Sequence, residues 1–397
     1  MTLNIYYTYL IIPNFLRILP IENKSMKILH VYKTYFPQTY GGVEQVIHSI
    51  CNYQKEKNII SDILICSNKN DTYTFDGIDV ISMKVHFVIS NNSLSLEMIN
   101  KFLDIQKKYD IIHFHYPYMM NEFLYYLQKI NKPYIITYHS DVCRSKLIST
   151  LYKFFSYQFL KNAKKVIFTS PNYVDLSYTK TFNINRTVIP LTINSHQTEL
   201  KYEYISNRIK KLENGYILFL GALRRYKGLK TLIEAAKLSN KNFIVAGSGE
   251  EEEKLIKLKK KLNLKNVIFL GQINNFEKHF LLNNCKALVL PSDQISEAFG
   301  VVLLEAFIHG KCVITSDLKT GMAYVNQHNI TGRVFKKGNP TDLMVQIDFL
   351  YNNPLIYEIY CSNAKKIVNS KFSNLQLEKY HTVYSEIILN TSFDSFK

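Results

Sequence analysis

The sequence predicts an α/β protein of two Rossmann-like domains whose parallel sheets face each other across a central cleft. Three observations predict it. Short apolar runs alternate with helix-length amphipathic stretches from residue 26 onward. The runs are continuous rather than alternating in polarity, as strands buried on both faces of helix-covered parallel sheets require. They fall into two series, and a chain of 397 residues is long enough for two or three domains.

In chain order the first series is Ile28–Tyr32, Ile59–Cys66, Ile111–Tyr116, Tyr134–Tyr138, Val166–Thr169 and Val188–Leu191. The second is Tyr216–Leu220, Phe243–Ala246, Val267–Leu270, Ala287–Leu290 and Cys312–Thr315. Helical patterns occupy Val43–Lys57, Leu229–Leu238, Glu250–Leu262 and Val301–His309, and the tail from Pro340 to Lys397 reads as two or three helices. A polar stretch, Asn194–Asn214, lies between Pro190 and Gly215 and divides the chain there. The domains are expected at 26–195 and 196–397, the latter carrying the closing helices. Open α/β sheets bind ligands beyond the carboxyl ends of their strands, so two facing sheets place a site in the cleft.

Residues 1–25 stand apart. Ile5–Ile21 is apolar but interrupted by Pro13, Arg17 and Pro20, and is short beside the ~20 apolar residues of a membrane span. No small-residue cleavage site follows it. Met26 then opens directly onto a core strand, so residues 1–25 are expected to be an extension or a mis-assigned start, with a weak membrane anchor as the alternative.

Apolar residues make up 47% and charged residues 20%, a globular profile. The net charge of +17 raises nucleic acid, acidic membranes and anionic substrates as partners. Nucleic acid is set aside, because no Lys/Arg block forms a basic arm and no nucleic-acid motif is present. Part of the charge reflects a general Lys, Asn, Ile and Tyr bias. The six cysteines, Cys51, Cys66, Cys143, Cys285, Cys312 and Cys361, form no CxxC unit. That spacing points to a reducing, cytoplasmic compartment and no metal knuckle. Ser145–Lys165 mixes lysines with Leu147, Ile148, Leu151, Tyr152, Phe154, Phe155, Phe159 and Leu160. It reads either as a helix on an anionic leaflet or as one packed on its own sheet.

The chemistry-bearing segments all follow strands. Leu288–Thr315 holds a strand, a loop with Ser296, Glu297, Phe299 and Gly300, and a helix from Val301 that carries Glu305. On one ideal helix, positions eight apart lie about 80° apart. With Glu297 in the loop and Glu305 on the helix, both can point into one pocket. Carboxylates accept hydrogen bonds from vicinal hydroxyls, and amides at a helix start hold phosphate. Gly41-Gly42 after the first strand, Arg224-Arg225-Tyr226-Lys227 after the first strand of the second series, and Gly247-Ser248-Gly249 after the next are candidate phosphate or nucleotide loops. His139 follows a strand; His113 and His115 on the preceding strand read as core or supporting residues. No Asp-x-Asp occurs, which disfavours metal-clamped phosphate chemistry.

The Glu297/Glu305 segment resembles the E-x7-E signature of glycosyltransferase family 4, within its S-E-x-F-G and L-E-A surroundings. The resemblance extends over most of the chain from Met26. It implies the GT-B fold, retention of anomeric configuration, a UDP- or GDP-hexose donor and no required metal or other cofactor. It implies that Glu297 contacts the donor sugar, Glu305 the ribose, and His139 the sugar. Lys227 and Arg224 would hold the diphosphate, with Arg225 as competitor, since Ala222 stands where the family's Arg most often lies. Gly41, Gly42, Gly247, Gly249, Phe299, Gly300 and Val301 complete the implied donor site. Two departures are Tyr324, where much of the family has Glu, and Thr192 and Asn194, where Gly and Asp are commoner. The acceptor is expected to be a glycan or lipid-linked saccharide of surface-polysaccharide synthesis, with the N-terminal domain on the acceptor side. A sugar-nucleotide epimerase of the same fold and a non-catalytic nucleotide-binding scaffold are the alternatives. A dinucleotide-dependent dehydrogenase lacks its full fingerprint.

Overall fold

The computed structural model describes residues 25–89, 92–128, 130–142, 146–192 and 201–394. The expectation for residues 1–25 therefore lies, but for Ser25, outside the described residues, as do Cys143, Asn194 and the first part of the expected domain junction.

Strands run β1 (Lys27–Val31), β2 (Ile60–Ser67), β3 (Asp71–Phe75), β4 (Ile78–Lys84), β5 (Phe87–Ile89), β6 (Asn92–Leu94), β7 (Ile111–Tyr116), β8 (Tyr134–Tyr138), β9 (Lys165–Phe168) and β10 (Arg186–Val188). They continue as β11 (Ile217–Leu220), β12 (Phe243–Ala246), β13 (Val267–Gly271), β14 (Ala287–Leu290), β15 (Val313–Ser316) and β16 (Gly332–Phe335). Helices are α1 (Gly42–Glu56), α2 (Leu96–Gln106), α3 (Met119–Leu127), α4 (Lys146–Lys161), α5 (Pro171–Leu176), α6 (Asn207–Lys210) and α7 (Leu229–Ala236). The remainder are α8 (Glu252–Lys261), α9 (Asn275–Asn284), α10 (Val301–Ile308), α11 (Gly321–Val325), α12 (Pro340–Asn352), α13 (Pro354–Lys371) and α14 (Leu375–Asp394).

Two sheets form, as the two apolar series predict. The first has the order β10-β9-β8-β7-β1-β2-β4-β3, and the second β13-β12-β11-β14-β15-β16. All pairings are parallel except β3 with β4, and the separate β5–β6 hairpin. β1, β7, β8, β11, β12 and β14 are almost wholly buried, which is why their sequences are apolar runs without alternation. The strand order reverses between β1 and β7 in one sheet and between β11 and β14 in the other. Crevices beyond such reversals take ligands in open α/β folds. The loops after β1, β11 and β14 carry the motifs named above.

One feature departs from a simple division at residue 195. Helix α14 leaves the second sheet and packs on α1 of the first unit. Its Tyr384 hydroxyl meets Nδ1 of His113 on β7 at 2.7 Å, and Glu378 meets Tyr53 and Lys57 of the α1 segment. In α4, Tyr152, Phe159 and Leu160 turn inward while Phe154 is 75% exposed, and Lys153 lies over the Phe182 ring. Among the described residues no helix is long and apolar enough to cross a membrane.

Candidate active site

The loop after β1 is shaped by a buried carboxylate. Glu44, in the first turn of α1, accepts hydrogen bonds from the hydroxyls of Thr34 and Thr39, each at 2.7 Å. A Cβ on Gly41, the residue before α1, would stand 2.4 Å from that carboxylate, which would have to shift to admit it. Across the cleft lies the start of α10. A Cβ on Gly42 would be 3.6 Å from Cγ2 of Val301, which shows how near the two helix ends come. Gly300 precedes α10 at φ 79°, a left-handed conformation that glycine adopts without strain. Neither helix start carries a side-chain cap. Two sets of free N–H groups and two positive dipole ends thus converge, an arrangement that attracts an anion.

The cations stand beside this point. Lys227 Nζ lies 2.5 Å from Oε2 of Glu297, which also accepts from the Ser292 hydroxyl at 2.9 Å. The side chains of Lys227 and Glu297 are only 12% and 9% exposed. Burial works against the ammonium, but the Glu297 carboxylate outweighs it and holds the Lys227 pKa above its ordinary value. Arg224 acts electrostatically on Lys227 and, across the cleft, on Lys33 and Tyr32. Arg225 acts instead on Asp293. Of the two candidates, Arg224 is therefore the one beside the lysine. Lys33, whose pKa is lowered by burial and then by Arg224, is a cleft cation that sequence reading missed.

Glu297 and Glu305, expected to face one pocket, are held by different cations. Glu305 on α10 pairs with Lys278 on α9 at 2.8 Å. Each carboxylate has its own cation. Lys278 had no signal in sequence, because its role arises only from α9 packing beside α10.

His139 is 7% exposed and its Nε2 meets Nδ1 of His115 at 3.0 Å. Burial lowers its pKa to about 3, so the ring is neutral near pH 7. His113 and His115 are fully buried, in keeping with a supporting role. Two residues on, Asp141 accepts from Tyr138, Ser177 and the Tyr178 amide, and its own amide donates to the Tyr173 hydroxyl. Tyr173 also reaches the Ile295 carbonyl at 3.5 Å, tying the His139 loop to the Glu297 loop. His30, His113 and His115 bring ring nitrogens within 4.8 Å of one another, a donor set of metal-binding type. Those nitrogens are engaged with one another, Gln54, His139, Tyr384 and Thr137, so the set fits a metal poorly.

Three residues of the expected donor site have packing partners of their own. Phe299 is 3% exposed and its ring packs edge-on to Phe372, so it offers the site main chain and not an aromatic face. A Cβ on Gly247 would stand 2.0 Å from the Gly221 carbonyl oxygen, and one on Gly249 would stand 2.6 Å from that of Leu223. These glycines are required by loop-against-loop packing that braces the Arg224–Lys227 segment. Tyr324 lies under Lys371, whose Nζ is 3.3 Å from the ring centroid, and Thr192 bonds the Phe372 carbonyl. A groove of about 810 Å³ beside Tyr125, Tyr134 and Lys164 lies at the strand starts of the first sheet, and none of the motif residues lines it.

Comparison with known proteins shows the family. Residues 40–214 match the family described as Glycosyltransferase Family 4, and residues 203–367 match Glycosyl transferases group 1. The chain is 30% identical over 371 residues to the O-antigen chain mannosyltransferase C of Escherichia coli, covering 92% of this chain and 100% of that protein. The chain belongs to glycosyltransferase family 4. A second relative of this glycosyltransferase is D-rhamnosyltransferase WbpZ of Pseudomonas aeruginosa, 30% identical over 86% of this chain and 90% of that protein. Among solved structures, sucrose-phosphate synthase from Thermosynechococcus elongatus superposes with a TM-score of 0.76 at 18% identity, covering 92% of this chain and 100% of that one. Anabaena Alr3699/HepE, solved with UDP and glucose, gives 0.73 at 18% identity over 91% and 100%. These two share the fold, which is GT-B.

Proposed function

We propose that this glycosyltransferase moves a hexose from a nucleoside-diphosphate sugar to a glycan or lipid-linked acceptor of surface-polysaccharide synthesis, with retention. The observation that carries the reading is the buried Lys227–Glu297 pair set beside two converging, uncapped helix starts. A carboxylate suited to sugar hydroxyls beside a cation and helix amides suited to phosphate supports this reading. The relatives' names, a mannosyltransferase and a rhamnosyltransferase, support the sugar class and the O-antigen-like setting. A distant structure of the same fold with UDP and glucose supports a nucleotide-sugar donor. GDP-mannose and UDP-glucose are the first donors to try.

In the proposed reaction the bond between the anomeric carbon and the diphosphate oxygen breaks. The acceptor hydroxyl oxygen bonds to that carbon on the same face, and its proton passes to the departing diphosphate. Arg224, Lys227 and the amides at the starts of α1 and α10 stabilise the growing negative charge. Glu297 holds sugar hydroxyls, Glu305 the ribose, and neutral His139 hydrogen-bonds the sugar. These protein cations do the work a metal would do, so chelators are expected to leave turnover unchanged. The cytoplasmic face of the membrane suits the free, buried cysteines. Exposed Phe154 on α4 and Tyr126 and Leu127 on the adjoining α3, flanked by Lys153 and Lys161, fit contact with an anionic leaflet. A Lys153→Glu/Lys161→Glu variant that pellets with anionic vesicles as fully as the parent rules that contact out.

The deciding experiment screens nucleotide sugars by thermal shift and then measures nucleoside diphosphate release with acceptor present. At least one UDP- or GDP-hexose is expected to raise the melting temperature and to turn over only with acceptor. Turnover of the donor alone to an isomer means an epimerase; binding without turnover means a scaffold.

A further inference from the structure

We infer that Gln54 is a positioning residue that sets the tautomer of His139 through a relay of two further imidazoles, His30 and His115. The relay lies across the middle of the first sheet. His30 on β1 is in register with His113 on β7, and His115 on β7 with Thr137 on β8, just before His139. Gln54 Oε1 is 3.2 Å from His30 Nε2, His30 Nδ1 is 3.0 Å from His115 Nε2, and His115 Nδ1 is 3.0 Å from His139 Nε2. All four residues are buried.

A neutral imidazole has one N–H donor and one lone-pair acceptor. Each N···N contact therefore needs one of each, and a direction fixed at one end runs to the other. Gln54 Oε1, which can only accept, faces both His30 and the Ser61 hydroxyl, while the amide Nε2 is buried without a closed hydrogen bond. His30 must then donate from Nε2 and accept at Nδ1. His115 must donate from Nε2 and accept at Nδ1. His139 is left with its proton on Nε2 and a lone pair on Nδ1, which has no hydrogen-bond partner among the described residues. Burial keeps the rings uncharged, His30 down to about 4 and His139 to about 3, so no second proton reverses the direction near neutral pH. His113 stacks 4.4 Å from His115 but bonds Thr137 and Tyr384, outside the relay. The relay ends on an amide and not on a carboxylate or solvent, so it fixes a proton and does not conduct one.

The consequence for the reaction rests on the reading of His139 as a sugar contact. A bare Nδ1 accepts from a sugar hydroxyl; the other tautomer would present a second donor there.

The test is histidine-selective 15N NMR of the full chain, with the His139 signals assigned by their loss in His139→Ala. The wild type is expected to show His139 protonated at Nε2. Gln54→Met, which keeps side-chain bulk but has no amide acceptor, is expected to mix the two tautomers and to lower kcat about fivefold, one hydrogen bond's worth. Gln54→Glu, which keeps an acceptor oxygen, is expected to restore both. A wild-type His139 protonated at Nδ1 overturns the inference even if no variant folds, and so does an unchanged tautomer in Gln54→Met. Undiminished turnover in His139→Ala instead removes the sugar-contact reading and leaves the relay standing.

Discussion

Lys227 and Glu297 are each other's main electrostatic partner in a nearly closed setting, and that makes single substitutions there do two things at once. Removing one partner of a buried pair typically costs about 3–5 kcal/mol, because the other charge stays buried alone. Lys227→Met is therefore expected to abolish turnover and also to lower the melting temperature. Lys227→Met/Glu297→Gln should regain most of the stability and none of the activity. A double variant no more stable than the single one would show that the pair does not govern stability. Glu122 on α3 is the opposite case, a fully buried carboxyl without a well-formed hydrogen bond to either oxygen. Burial raises its pKa to about 8. The folded state then binds this proton more tightly than the unfolded chain does. Its contribution to stability is full below about pH 4.3 and falls by roughly 1.4 kcal/mol per unit as pH rises toward 8. Glu122→Gln is expected to match the wild type in melting temperature near pH 4 and to exceed it increasingly up to pH 8; a difference independent of pH refutes this. The sequence pointed to Glu297 and Lys227 because their chemistry follows strand ends. It was silent on Glu44, Lys278, Gln54 and Glu122, whose roles depend on which element lies against them and not on any spacing along the chain.

The elements most legible in sequence are those buried on both faces. β1, β7, β8, β11, β12 and β14 coincide with the apolar runs, and α1, α7, α8 and α10 with the amphipathic stretches, within a residue or two at most ends. The segment from β3 to β6 was not legible. β3 alternates partly and fully exposed residues, and all three residues of β5 are exposed, so neither writes a continuous apolar run. The glycine loops were found by position but not by packing partner, since a Gly-x-Gly turn looks the same whether a ligand or another loop fills the space of its missing side chains. That distinction is testable. Gly247 has φ 129° and main chain 2.0 Å from the place of a Cβ, whereas Gly310 at the end of α10 has φ 63° and open space there. Gly310→Ala should cost only the left-handed strain, about 1–2 kcal/mol. Gly247→Ala must also displace the Gly221 carbonyl, so it should be the more destabilising and should weaken donor binding through Arg224 and Lys227. Equal losses of melting temperature in the two variants would count against loop-against-loop packing.

At the scale of the molecule, α14 joins the two halves. The chain enters it from α13 beside the second sheet, and it buries Leu377, Tyr380, Val383, Tyr384 and Ile387. Tyr384 reaches His113, and Tyr380 packs beside the same ring at 6.0 Å. Full burial of five such side chains contributes on the order of 10 kcal/mol before the entropy of ordering the helix is subtracted. That gross figure is comparable with the whole net stability of a domain, about 5–15 kcal/mol. The first sheet therefore depends on residues that lie last in the sequence. Two halves joined only by the segment near residue 195 could unfold separately. Two halves sharing a buried helix should unfold together. The intact chain is expected to show one calorimetric transition. A chain ending at Ser373 should show an early transition of the first unit, lowered by at least several degrees, and a later one of the second. Tyr384→Phe, which keeps the ring and loses only the hydroxyl to His113, should retain the single transition with a small drop, near 1 kcal/mol. If the shortened chain melts like the intact one and turns over at the same rate, α14 is dispensable and the halves are coupled through the cleft alone.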